Sequence, residues 1–262
     1  MNRGVFFGAV RQRPFGGSIT QSQVDGINAI LDEWEKQALT DLRWLAYMLA
    51  TSYHETGHTM LPITEYGAVS YFDKYDVGTK IGRALGNTEK GDGYRFRGRG
   101  YVQLTGRANY VKASHELSVD LIRDPEKALD KTVAAQIMFR GMIEGWFTGK
   151  KLSDYFSAGK TDWVEARRII NGTDRATMIG GYAQDFHNAL QASALPDVEW
   201  HPDQPVAPPH APPDVPASPP PKPPIPPSKP PTGAIATGAS LGLIALIIAL
   251  WDKISSFFHH LF

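Results

Sequence analysis

Apolar residues at Val24, Ile27, Ile30, Leu31 and Trp34 recur at steps of three and four with polar residues between them, which places them along one face of a helix. Thr20 precedes the run as an N-cap, so an amphipathic packing helix is predicted from there to about residue 36. A second helix is predicted over residues 39–55, ending near Gly57, where a glycine supplies the usual C-terminal stop. Trp44, Met48 and Ser52 recur along it at helical spacing, and Glu55 falls at the end of that stripe, turned toward a core. Residues 6–17 read as an irregular entry. Periodicity is lost again over residues 60–96, which collect Gly67, Gly78, Gly82, Gly86, Gly91 and Gly93, so loops with short strands are predicted there, walling a cleft. Further helices are predicted at 108–116, 125–146, 161–170 and 177–192, the second of these announced by Asp124-Pro125. The predicted fold class is mainly α, a helical domain with long loops.

The pattern changes abruptly at Pro202, because sixteen of the twenty prolines lie between Pro202 and Pro231. No helix or sheet interior tolerates that density, and an extended polyproline spacer of about 90 Å, at about 3.1 Å per residue, is predicted. Residues 233–251 then run without a charge, enough for a helix to cross a hydrocarbon layer of about 30 Å. The expected organisation is a catalytic domain over residues 1–197, a proline-rich linker over 198–231, a single transmembrane helix over 232–252 and a short tail over 253–262. Trp251 would sit at the membrane interface, and Gly238 and Gly242 offer a small-residue face for a homodimer.

Charge removes one class of partner. Lysine plus arginine equals aspartate plus glutamate, 27 against 27, so no long-range field recommends a nucleic acid. The absence of cysteine excludes disulfides, thiolate nucleophiles and cysteine metal sites. Arg11 and Arg13 interrupt the short apolar run at the N-terminus before a signal-peptide core forms, and it reads as mature sequence.

Two chemistries compete for the stretch Tyr53-His54-Glu55-Thr56-Gly57-His58. His54-Glu55-x-x-His58 has the form of a zinc-peptidase motif, in which two histidines one helical turn apart hold the metal and the glutamate activates water. Gly57 weakens the helix such a site needs, and Leu61 and Thr64 stand where an extended motif would place its glycine and third histidine. The other chemistry pairs two carboxylates across a glycosidic bond, one as acid and one as base. Glu55 at a helix end and Glu65 on the next loop fit that division if the first is shielded and proton-bearing and the second more exposed and ionised.

The segments Tyr53-His54-Glu55-Thr56, Leu61-Pro62-Ile63-Thr64-Glu65, the run from Tyr94 to Tyr110 with its Arg97-Gly98-Arg99-Gly100-Tyr101-Val102-Gln103-Leu104-Thr105-Gly106, and Ile169-Ile170-Asn171-Gly172 together resemble glycoside hydrolase family 19, particularly its bacterial and phage endolysin branch. The resemblance spans roughly residues 20–192. It implies the lysozyme-like helical fold, with Glu55 as general acid, Glu65 as general base (Asp73 and Asp76 remain open) and Thr105 placing the attacking water. It implies substrate contacts by His54, Tyr101, Gln103, Asn109 and Asn171, with no metal and no cofactor. An arginine common in the family before the last Ile-Gly pair is replaced here by Met178, and Arg175 is a candidate substitute. The implied substrate is peptidoglycan or a chitin-like polysaccharide. With the tail, this predicts an endolysin-type enzyme anchored by its C-terminal helix and acting on the cell-wall side, with a holin-like helper as one export route. Arg95, Arg97, Arg99 and Arg107 are candidates to attract stem-peptide carboxylates, and Arg99 is also a candidate partner for a catalytic carboxylate.

Overall fold

The computed structural model describes residues 1–194. The proline-rich segment, the apolar span and the tail lie outside the described residues, and none of the described helices is long and apolar enough to cross a membrane.

The architecture is mainly α, as the periodicity predicts. Helix α1 (Arg3–Gln12) opens the chain, followed by α2 (Gln21–Gln37) and α3 (Leu42–Glu55). A long connection carries strand β1 (Ile63–Thr64), a 3-10 turn at Val69–Tyr75, the short helices α4 (Lys80–Ala84) and α5 (Asp92–Arg95), and strand β2 (Arg99–Gly100). Helices α6 (Arg107–Leu117) and α7 (Lys131–Glu144), a small hairpin of β3 (Phe156–Ser157) and β4 (Lys160–Thr161), and α8 (Ala176–Ala194) complete it. Strand β1 pairs antiparallel with β2, Ile63 opposite Gly100 and Thr64 opposite Arg99.

Helix α3 is the central element. Ten of its fourteen residues are buried, so it is enclosed nearly all round instead of lying at the surface on one face. It packs along α8, which in turn packs on α1, while α2 lies against α7. Burying Leu45, Met48 and Leu49 fully contributes on the order of 1.5–3 kcal/mol each. The N-terminus of α2 is closed by a capping box: the Thr20 hydroxyl accepts from the Gln23 backbone N–H, and the Gln23 side chain accepts from that of Thr20. Gly26 on α2 is required by a close approach, because a Cβ there would stand 1.7 Å from the Met60 carbonyl oxygen. The turn leaving α3 is thereby pressed directly onto the α2 backbone.

Three sequence expectations are corrected. The entry is helical, not irregular: Asn2 caps α1 by accepting from the Val5 N–H, and Phe6 and Val10, one turn apart, are both fully buried. The helix predicted over 125–146 is two elements, a 3-10 turn at Pro125–Leu129 and then α7, because Asp130 is extended and its carboxylate caps the second by accepting from the N–H groups of Thr132 and Val133. The helix predicted over 161–170 is the second strand of a hairpin followed by a 3-10 turn at Glu165–Ile169. Its two arginines differ in fate, Arg167 buried and Arg168 exposed.

Candidate active site

Glu55 is the last residue of α3 and is only 4% exposed. Thr56 fixes the helix end behind it: its hydroxyl donates to the Ser52 carbonyl at 2.7 Å and accepts from the Met60 N–H at 3.0 Å. The Glu55 carboxylate meets the guanidinium of Arg167, itself 1% exposed, with Nη1 to Oε1 at 2.6 Å. The Nε–H of the same guanidinium donates to the Asp174 carbonyl at 3.2 Å. Arg167 is thus the cation of this carboxylate, a role for which the sequence offered Arg99 instead. Arg99 is buried as expected but pairs with Glu126 at 2.7 Å and with the Tyr110 hydroxyl at 3.0 Å, so it has no catalytic carboxylate.

Glu65 follows β1 directly and is 6% exposed, so the expected exposed, loop-borne charge is instead enclosed. Its backbone N–H donates to the Gly98 carbonyl at 2.7 Å, and its Oε2 accepts from the Gly98 N–H at 3.1 Å. Its Oε1 accepts from the Tyr75 hydroxyl at 3.1 Å. Burial pushes its pKa above the ordinary glutamate value; the bonds from Gly98 and Tyr75 and the charges of Lys74 and Arg97 pull the other way without cancelling it. The alternatives differ in kind. Asp73 is exposed, while Asp76 accepts from the N–H groups of Gly91 and Gly93, which outweigh its own desolvation and hold it below the usual aspartate range. Asp76 is a loop anchor.

The raised pKa of Glu65 has a stability consequence. The folded chain retains its proton to higher pH than the unfolded chain, so stability attributable to this group is full below the unfolded value, about 4.3, and is lost as pH rises through the folded value. Glu65→Gln is therefore expected to melt above wild type at pH 7, with the gap closing below about pH 4. Thermal melts of both proteins across that range check it, and a gap that is constant with pH would show that Glu65 does not titrate as its burial dictates.

The remaining predicted residues divide. Thr105 donates its hydroxyl proton to the Gln103 carbonyl at 2.8 Å, which leaves the oxygen's lone pairs to accept from a water. Asn109 on the first turn of α6 donates to the Thr105 carbonyl at 2.8 Å. Asn171 is 3% exposed, and neither end of its amide has a protein partner. His54 is half-buried beside Glu55 on α3. Gln103 directs its amide hydrogens inward, to the carbonyls of Ile63 at 3.1 Å and Gly100 at 3.2 Å. Tyr101, expected at the substrate, lies in the core: it is fully buried and donates its hydroxyl to the Gly26 carbonyl at 3.1 Å, which leaves no surface of its side chain open.

The arginine cluster is largely internal. Arg95 donates to the Ile122 carbonyl, Arg107 pairs with Asp92 at 2.6 Å and Glu89 at 3.0 Å, and Arg97 stacks on Tyr94 at 4.1 Å while remaining near enough to act on Glu65. The histidine pair is also resolved by geometry. Helix α3 stops at Glu55, and Gly57 and His58 both have left-handed backbones (φ 58° and 69°), so His54 and His58 do not share a helical face. The His58 ring instead stacks on Tyr53 with centroids 4.1 Å apart. Among the described residues no three His, Asp or Glu side chains are grouped to hold a metal.

The mainly helical domain that carries these two carboxylates has likenesses among solved chitinase structures. Chitinase C from Streptomyces griseus HUT6037 matches with a TM-score of 0.50 over 72% of this chain and 75% of that chain, at 18% identity. A chitinase C mutant gives 0.49 at 19% identity, and a bacterial family 19 chitinase gives 0.47 over 74% of this chain and 94% of that one, at 18%. The first of these likenesses establishes a shared fold. No family model matches the chain, and no curated protein matches it in sequence.

Proposed function

We propose that this chain is a glycoside hydrolase that cleaves β-1,4 bonds of an N-acetylated glycan with inversion. The reading is carried by two carboxylates ten residues apart, each buried and each held by fixed donors: Glu55 by Arg167, Glu65 by Tyr75 and Gly98. Glu55 protonates the leaving oxygen. Arg167 donates to its Oε1, which leaves Oε2 as the oxygen through which a proton would be handed on. Glu65 activates the water on the opposite face of the sugar, and Thr105, with its own proton committed to Gln103, accepts one hydrogen of that water and orients it. The amide of Asn171, without a protein partner at either end, has the donor and acceptor groups that complement an acetamido group, though both are enclosed by the protein.

Peptidoglycan is the favoured polymer. The support is in the sequence: a proline-rich spacer and an apolar span suit an enzyme whose polymer lies within reach of a bilayer, which is the organisation of an endolysin-type wall hydrolase anchored by its C-terminal helix. Chitin is the second reading, favoured by the fold shared with chitinase C. The test is reducing-end release by the full chain from purified peptidoglycan and from chitin oligomers, with and without a strong chelator. Release from peptidoglycan that ignores the chelator is the expected result. Release from chitin alone moves the assignment to the second reading, and activity abolished by the chelator removes the two-carboxylate mechanism.

A further inference from the structure

Gln103 has a left-handed backbone, φ 54°, a conformation uncommon for residues other than glycine and one that marks a position determined by its surroundings. It closes a four-residue loop, Gly100 to Gln103, whose ends are the mutually bonded pair Arg99 and Leu104: Arg99 N–H to Leu104 O at 3.2 Å and Leu104 N–H to Arg99 O at 2.9 Å. From that position the side chain reaches back across both strands. Its Nε2 donates to the Ile63 carbonyl on β1 and to the Gly100 carbonyl on β2. Both partners are carbonyls, which only accept, so the nitrogen and not the oxygen of the amide faces them. The amide oxygen is turned toward Gly98, where a Cβ would stand 2.7 Å from it and 3.2 Å from Glu65 Oε2. The residue between the Gln103 amide and the Glu65 carboxylate is therefore the one that binds Glu65 twice, by its carbonyl and by its N–H.

We propose that Gln103 is a positioning residue for Glu65: its carboxamide, with both hydrogens committed inside the protein, fastens β1 to the 100–103 loop and sets the Glu65 carboxylate, instead of contacting the sugar. Thr105 and Asn109 extend the same fastening, since Thr105 holds the Gln103 carbonyl and Asn109 holds that of Thr105. The water-orienting hydroxyl and the base are in this way parts of one hydrogen-bonded piece. The catalytic half of the proposal rests on the glycosidase reading above; the structural half does not.

Two variants separate the alternatives. Gln103→Asn tolerates the left-handed backbone but is one methylene too short to reach both carbonyls. Gln103→Glu keeps the length and an acceptor for a sugar hydroxyl but sets a carboxylate against two carbonyl oxygens. Steady-state kinetics on a soluble glycan are measured beside amide hydrogen exchange of the full chain. For both variants kcat is expected to fall by about 10²-fold, with KM within about twofold of wild type. The N–H groups of Glu65 and Gly98 are expected to exchange at least about tenfold faster, while those of α8 are unchanged. A KM raised about tenfold with kcat and the Glu65 and Gly98 exchange rates unaltered would show that Gln103 binds the sugar, and overturns the proposal. If one variant does not fold, as faster α8 exchange would reveal, the other carries the test. A wild type that cuts no glycan removes the functional reading alone, and the exchange rates still decide whether the fastening exists.

Discussion

Glu55→Gln is expected to lower kcat for glycan hydrolysis by about 10²–10⁴-fold, the range over which a positioned general acid contributes. At about 1.4 kcal/mol per tenfold this is roughly 3–5 kcal/mol of barrier. The amide keeps the shape of the side chain and keeps an oxygen for Arg167, but it has no proton that can be delivered to a leaving alkoxide. Because Arg167 is buried against this position, a lost activity has a second possible origin in a loosened fold, and circular dichroism melts on the same preparation separate the two. A folded variant that retains more than about a tenth of wild-type kcat would remove Glu55 from the acid's role. KM is expected to change little, since the glutamine leaves the shape of the cleft as it was.

The second large effect concerns stability. Arg167 and Glu55 are 1% and 4% exposed at the side chain and 2.6 Å apart, and removing one partner of such a pair leaves a charge buried without its counter-ion. Arg167→Met should therefore cost about 3–5 kcal/mol. For a domain of this size, at about 2–4 °C per kcal/mol, the midpoint falls by roughly 6–20 °C. The double variant Arg167→Met, Glu55→Leu is expected to recover most of that loss, because replacing both ions by apolar groups of similar volume is often neutral or better. A cycle of the two single variants and the double, followed by thermal melts, measures the coupling directly. If the singles and the double add without coupling, the pair is a feature of geometry that contributes nothing to the fold. Recovery of stability without recovery of activity would show that this pair is retained for chemistry.

Much of the helical frame was legible in the chain because it is written in apolar spacing. The α2 stripe, its Thr20 cap, the end of α3 near Gly57 and the run of α8 all follow from local rules that the tertiary structure does not override. Element breaks were legible only where a local signal marks them. Asp130 reads in sequence as one more polar residue inside a helical pattern, and its carboxylate becomes a cap only because its backbone is extended. Asn2 and the Phe6 and Val10 pair were present as signals but span too few residues to outweigh the turn signals that follow. Within the site, Glu55 was placed at a shielded helix end from its spacing alone. The burial of Glu65 was not, because it arises from contacts with Tyr75 and Gly98, ten and thirty-three residues away, that no local periodicity records. The same limit hid Arg167. Four arginines near the Gly-Arg-Gly segment drew attention, yet the one that meets Glu55 is 112 residues from it. Tyr101 misled for the opposite reason: an aromatic in a motif reads equally as a sugar platform or as core, and the carbonyl of Gly26 decides for core.

The separation of 112 residues between Glu55 and Arg167 also sets when the site can first exist. A ribosome adding about 5–20 residues per second needs roughly 6–20 s to travel from one to the other, and until then α3 has no cation for its terminal carboxylate. A truncated chain that stops before the turn at Glu165–Ile169 can still set Glu65 against Tyr75 and Gly98 but leaves Glu55 without Arg167. A nascent or prematurely terminated product would therefore carry the whole His-Glu-Thr and Gly-Arg-Gly sequence and still lack the pairing at the end of α3, so this centre closes only after synthesis has passed both segments.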